Sequence, residues 1–278
     1  MSLPLYKGNH SFSDLAEKNM GLWYDKFCDE WSMSWQELDK GKWVSRAKNN
    51  DTTSDGSVGD ESLIEDYFIR QRDLAMALGG QIFVFTTQDR FITGLGNPHP
   101  IENGFSWHFI LGTPYIPAAS IKGALRSWMK LGGKELQEIN FLLGPESDRE
   151  SRAGAVIIFD AIPLGPVKLS EDVMTPHYND YYKKKKNSPP ADWYSPVPIP
   201  FLTVAEGQDF AFLVAPRSKK IEIDIQCLGE WLTSTLKDIG LGAKTSSGYG
   251  RFEFNESHSK KIREDYQEVK PKSYCQGG

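Results

Sequence analysis

Between Gln81 and Phe254 strand-like and helix-like patterns follow one another in the order strand, helix, strand, strand, helix, strand, and that order leaves few folds open. Gln81 to Gln88 (QIFVFTTQ) is rich in β-branched and aromatic residues and follows the Gly79-Gly80 stop of a helical pattern carried by Leu63, Tyr67, Phe68, Leu74 and Leu78. A helix capped near Ser120 and running to Leu131 would bury Ile121, Leu125 and Trp128, and Lys134 to Leu143 reads as a shorter one. Gly154 to Ile162 (GAVIIFDAI) is apolar almost throughout, as a strand covered on both faces is. Asp209 to Val214 returns to strand character. Leu228, Trp231, Leu232, Leu236 and Ile239 then mark an amphipathic helix ending at Gly240, and Arg251 to Phe254 (RFEF) alternates as a last strand. This series predicts an α+β, ferredoxin-like (RRM-like) split βαβ fold, an antiparallel sheet with two helices on one face. RNA-recognition modules share that architecture, and so do many unrelated functions.

The flanks and breaks set the domain plan. Residues 1–79 read as a helical N-terminal extension, because Leu15, Leu22, Trp23, Phe27, Trp31, Trp35 and Leu38 recur at the spacing of one or two helices. Within it, residues 47–62 (AKNNDTTSDGSVGDES) hold too little apolar surface to offset ordering entropy and are expected to be mobile. The main domain spans 80–255. It contains a loop with three glycines and two prolines (94–104, GLGNPHPIENG), a short strand expected over Phe105–Leu111, and a long insertion over 163–205 rich in proline and tyrosine. The charged stretch 256–278 is expected to fray.

Charge restricts how such a fold could hold nucleic acid. With 37 acidic residues against 32 Lys and Arg, the net charge is -5, so any RNA site must be a local one rather than a bulk electrostatic surface. Cys28, Cys227 and Cys275 are far apart with no C-x-x-C pair, which predicts neither a disulfide framework nor a thiolate metal site. No apolar run approaches the roughly 18 residues of a membrane span. The first twenty residues lack targeting character, so a cytoplasmic setting without membrane partners or cofactors is expected.

Three groups of residues could carry function. Lys122, Arg126 and Lys130 lie four apart and share one helix face, where a phosphate could meet ammonium, guanidinium and helix N-terminal N–H groups together; the same spacing fits a solvated basic face. Gly240 to Arg251 (GLGAKTSSGYGR) has the glycine density of a backbone that approaches a ligand. It is not a P-loop, because Ala243 and Asp238 stand where glycines are needed and the loop leads from helix into strand. Its Lys244, Ser246, Ser247, Gly248, Tyr249 and Arg251 are candidate RNA contacts, and the run Gly248 to Phe254 partly echoes an RNP1 strand; a ligand-free turn fits as well. His177 and Tyr178 precede four lysines (183–186), a mixture suited to stacking bases beside phosphates and equally to a solvated loop tip. No H-E-x-x-H, G-x-S-x-G or paired-Asp metal motif is present. A metal-independent ribonuclease would need a histidine base, His177 or His99, so no catalytic residue is assigned.

Gly94-Leu95-Gly96-Asn97-Pro98-His99-Pro100, continued by Tyr115-Ile116-Pro117-Ala118-Ala119-Ser120-Ile121-Lys122-Gly123-Ala124-Leu125-Arg126, resembles the signature of the RAMP superfamily of CRISPR-associated proteins, and the loop ending Gly250-Arg251 is similar to the family's second signature. Pro176-His177-Tyr178, Tyr181-Tyr182 and Asp192-Trp193 through Phe201-Leu202 narrow the resemblance to the type III-B (Cmr) effector subunits. It covers Gln81 to Phe254 and departs where Ala118-Ala119 replaces the family's usual Pro-Gly-Ser flavour. The resemblance implies a non-catalytic subunit in antiviral defence that binds guide RNA, or the guide–target RNA duplex, near the guide 3′ end. It also implies contact with other RAMP subunits, capping a filament of the backbone subunit. A RAMP endoribonuclease that trims precursor guide RNA and a pure protein–protein scaffold are the alternatives.

Overall fold

A computed structural model describes residues 13–269 apart from 33, 35, 51–52, 147–151 and 177–195. The N-terminal pattern forms three short helices, α1 (Ser13–Lys18), α2 (Met20–Lys26) and α3 (Lys40–Asn49). Asn19 and Asp39 cap the last two by accepting the N–H groups of Leu22 and Lys42. Trp23 stacks on Trp43 with ring centroids 4.0 Å apart, and the Arg46 guanidinium lies over both rings while pairing with Asp29 and Glu30. Trp31 belongs to no helix; it bridges to Leu38 in an extended turn.

Next come β1 (Ser57–Val58), α4 (Glu61–Ala77), β2 (Gln81–Thr87), α5 (Ala118–Leu131), α6 (Leu136–Leu143), β3 (Val156–Ile158) and β4 (Ile162–Pro163). The chain continues through β5 (Val167–Met174), β6 (Ile199–Val204), β7 (Asp209–Pro216), α7 (Ile225–Asp238), β8 (Phe252–Phe254) and α8 (Glu256–Val269). The main sheet has the order β3-β7-β2-β8, with β4 also on β7 and every pair antiparallel. This is the ferredoxin-like order that the sequence pattern predicts, with the first and third strands side by side at the centre.

The sheet is covered on both faces, not one. Along β2, Phe83 and Phe85 pack with the α5 and α7 residues Leu125, Leu228 and Leu232, while Ile82 and Val84 pack with Ile64 and Phe68 of α4 and Ile262 of α8. Gly229, inside α7, is there because a Cβ would collide with the Phe83 ring. Of the segment expected to fray, residues 256–269 form a 14-residue helix, α8, docked on the sheet, and 270–278 lie outside the described residues. Its buried Ser259 hydroxyl accepts the Val84 N–H at 2.8 Å, and Asn255 caps its start by accepting from His258 N–H. The expected mobile loop 47–62 also holds structure, since it completes α3, supplies β1, and provides the Asp60 cap of α4. The insertion contributes the β5–β6 hairpin, which with β1 makes a second sheet packed on α3. Over Phe105–Leu111 there is no strand, only a bridge from Trp107 to Pro114. Among the described residues no helix is long and apolar enough to cross a membrane.

Two buried histidines make the fold acid-sensitive. His99 stacks on Tyr24 with ring centroids 4.8 Å apart, and His108 lies among Tyr67, Phe109 and Tyr115. Burial holds both imidazoles below their ordinary value of 6.5, partly opposed at His99 by the Tyr24 carbonyl and at His108 by Asp160. The unfolded chain thus takes up protons near pH 6.5 that the folded chain refuses. Their contribution is complete above that pH and is lost as pH falls toward the folded-state values. Urea midpoints should accordingly fall between pH 7.5 and 5.5, with a smaller fall in the His108→Gln variant; identical slopes would refute the assignment.

Candidate nucleic-acid interface

The α5 helix begins at Ala118, two residues before the expected Ser120 cap, and the Ala118 N–H donates to the Asp160 carboxylate at 2.7 Å. Its N-terminus is therefore already engaged by an anion. Ile121, Leu125 and Met129 form the buried stripe. At about 100° per residue, Lys122, Arg126 and Lys130 run along one flank of that stripe, and Ser120, Gly123 and Ala124 along another roughly a third of a turn away.

The basic flank is mostly occupied by the protein itself. Arg126 donates to Asn140 Oδ1 at 3.1 Å and to the Gly144 carbonyl, and lies 3.7 Å from Glu146. Lys130 pairs with Glu146 at 2.8 Å. These two candidates fold back onto α6, because the α6 C-terminus leaves a carbonyl that needs a donor. Lys122 is different: it is half-buried and, among the described residues, pairs with no carboxylate. Burial, then Arg217 and Arg126, hold its ammonium below the usual lysine range, so an added anion there would relieve like-charge repulsion.

The glycine-rich loop turns through a short 3₁₀ segment at Thr245–Ser247, with Lys244 left-handed at φ 59°. Most of its glycines serve seating. A Cβ on Gly242 would fall on the Ile92 carbonyl, and one on Gly250 on the Leu241 carbonyl. The close approach lets Ala243 and Gly250 donate to the carbonyls of Ile92 and Arg90, each at 2.9 Å. Gly248 meets nothing, and with Ser246 and Ser247 it forms the exposed tip. Tyr249 is not free to stack on a base: its hydroxyl donates to Asp172 on β5, and Arg90 lies over its ring while pairing with Asp172 at 2.6 Å. Burial raises the Asp172 carboxyl, but the Tyr249 hydroxyl, the Val173 N–H and the Arg90 charge outweigh it and hold it below the usual range. Lys244 lies over the Phe201 ring at 5.7 Å, with no carboxylate paired to it among the described residues. Arg251 turns inward, donating to the Thr245 carbonyl at 3.4 Å. Phe252 is buried and both sheet faces are covered, so the RNP1-like run cannot work as an open stacking strand. His177, Tyr178 and the four lysines lie outside the described residues.

Between the loop and the Ser120–Gly123–Ala124 flank lies an open cleft of about 530 Å³, closed on its third side by Gly94–Asn97 and Ser106. Sequence reasoning found both loops and the helix but placed the wrong flank toward them. Arg90 and Asp172 were missed, since neither sits in a pattern. Among the described residues no three of His, Cys, Asp and Glu gather as metal ligands.

The RAMP superfamily model matches residues 84–253, which hold most of the main sheet and every wall of the cleft. The CRISPR system Cmr subunit Cmr6 of Pyrococcus furiosus is 30% identical, over 68% of this chain and 72% of its own length. The CRISPR system CMR subunit Cmr6 of Saccharolobus solfataricus is 31% identical, over 69% of this chain and 64% of its own length. A chain in the cryo-EM structure of the type III-B Cmr-beta bound to cognate target RNA superposes with a TM-score of 0.59 at 25% identity, covering 87% of each chain.

Proposed function

This chain belongs to the RAMP superfamily, and from that premise we propose that it is a non-catalytic RNA-binding subunit of a type III-B RNA-guided effector complex, the counterpart of the relatives it is similar to. It binds guide RNA, or the guide–target RNA duplex, near the guide 3′ end, and sits against other RAMP subunits, the filament backbone among them. The observation that carries this reading is the exposed glycine-serine loop tip with Lys244 beside it, while Lys122 on the other flank of α5 is, like Lys244, a cation that forms no salt bridge among the described residues. In a chain of net charge -5 such cations offer local sites for phosphate, Lys244 beside the cleft and Lys122 on the other flank of α5. The superposable chain comes from a complex solved with target RNA, which supports RNA as the ligand. His99, an alternative general base, is sealed against Tyr24 with its ring buried.

Replacing Lys122 and Lys244 together by alanine should weaken binding of single-stranded RNA and lower the slope of log K against log salt by roughly one for each phosphate no longer neutralised. Arg126 stays in place, so folding is not disturbed. Unchanged affinity and slope would remove the proposal. In the same mixtures without metal the RNA should stay intact; a discrete cut would overturn the non-catalytic assignment.

A further inference from the structure

The cleft beside α5 differs in chemistry from the cations around it. None of its eighteen lining residues is ionisable, in a chain whose charged content is 25%. A phosphate inside would find no counter-charge, and the Asp160 carboxylate already holds the first N–H of α5. The walls suit a flat, partly polar group instead. Pro117, Ala124 and Leu241 offer apolar surface, and the Ser120 and Thr245 hydroxyls make no hydrogen bond within the described residues. The volume of about 530 Å³ lies within the range of small-ligand sites.

Two glycines point the same way. A Cβ on Gly123 or on Gly96 would meet no atom within 4 Å, and neither has a left-handed backbone. Gly123 nevertheless sits within α5, where glycine weakens a helix relative to alanine. Among the described residues no atom stands against either position, unlike Gly242 and Gly250, so the cleft stays open at both walls.

We propose that this cleft takes an unpaired nucleobase with its ribose, the phosphates staying outside toward Lys244. This rests on the RNA-binding reading above and adds which part of the RNA enters the protein. Base contacts of this kind are worth about 5- to 150-fold in affinity. The full-length protein is titrated with a single-stranded RNA and with its abasic counterpart, which keeps the same ribose-phosphate backbone. Wild type binds the first more tightly. Gly123→Leu, which fills the cleft from an open helix position, removes that preference by about the same factor, leaves abasic binding and the salt slope unchanged, and does not lower Tm. Gly96→Leu, from the opposite wall, does the same and keeps the test decisive if Gly123→Leu fails to fold. A base preference that survives both leucines sinks the cleft proposal, while the Lys122/Lys244 variant still tests RNA binding independently. A lowered salt slope in the leucine variants also sinks it, because the cleft would then hold a phosphate.

Discussion

Alanine at Gly242 is expected to unseat the glycine-rich loop and to remove most of the RNA affinity, without loss of the α2–α3 tryptophan cluster. Gly242 has φ 84°, a region alanine occupies at a cost of about 1–3 kcal/mol. The added methyl group would also press on the Ile92 carbonyl and the Phe91 ring, and such overpacking adds roughly 1–3 kcal/mol. The sum, about 2–6 kcal/mol, exceeds what the Ala243–Ile92 hydrogen bond can hold in place. The loop would lift off, taking Lys244 and one wall of the cleft with it. Gly248→Ala is the control, because Gly248 has φ 96° but faces open space and carries only the conformational part of that cost. Thermal denaturation and RNA titration of the two variants should separate them clearly. Equal losses would mean that steric seating on Ile92 is not what the glycine provides.

Arg126→Ala is expected to destabilise the fold by about 2–4 kcal/mol while leaving the RNA affinity of the folded fraction almost unchanged. The Arg126 side chain is only 12% exposed and the Gly144 residue it meets is buried, so that carbonyl does not turn to water when the guanidinium is removed. Asn140 and the Gly144 carbonyl at the end of α6 would be stranded, and Glu146 would keep only Lys130. Lysine should rescue little, since a single ammonium cannot span Asn140 and Gly144 as the guanidinium fork does. Chemical denaturation gives the first quantity and titration at a fixed folded concentration gives the second. A stable variant that loses RNA binding would return Arg126 to the role its spacing suggests.

The difference between those two readings of Arg126 shows where sequence reasoning stops. The four-residue spacing of Lys122, Arg126 and Lys130 does place them on one flank of α5. What lies opposite that flank is α6, joined by a turn at residues 132–135, and its unpaired C-terminal carbonyl claims Arg126. Only Lys122 keeps the electrostatic character the pattern promised. The glycines divide in the same way. Gly242 and Gly123 are the same letter in two glycine-bearing motifs, yet one is packed against a carbonyl and the other faces an empty cleft. That distinction depends on Ile92 in one case and on the absence of any neighbour in the other.

The sequence alone determined the order of strands and helices, and with it the ferredoxin-like sheet, because hydrophobic periods of two and 3.6 residues are properties of adjacent positions. It also determined the RAMP kinship, carried by contiguous motifs at residues 94–126 and 240–251. Only the tertiary structure decided that α8 covers the second sheet face, since Ser259 and Ile262 are its few buried residues in a charged segment and no periodic stripe announces them. It alone decided that Tyr249 is tied to Asp172, 77 positions away, and that the glycine-rich loop faces Ser120 and Gly123 rather than the basic flank. The physical reason is one of range. Local periodicity sets what each segment becomes, whereas the partner of a side chain is chosen by packing among segments far apart in the chain.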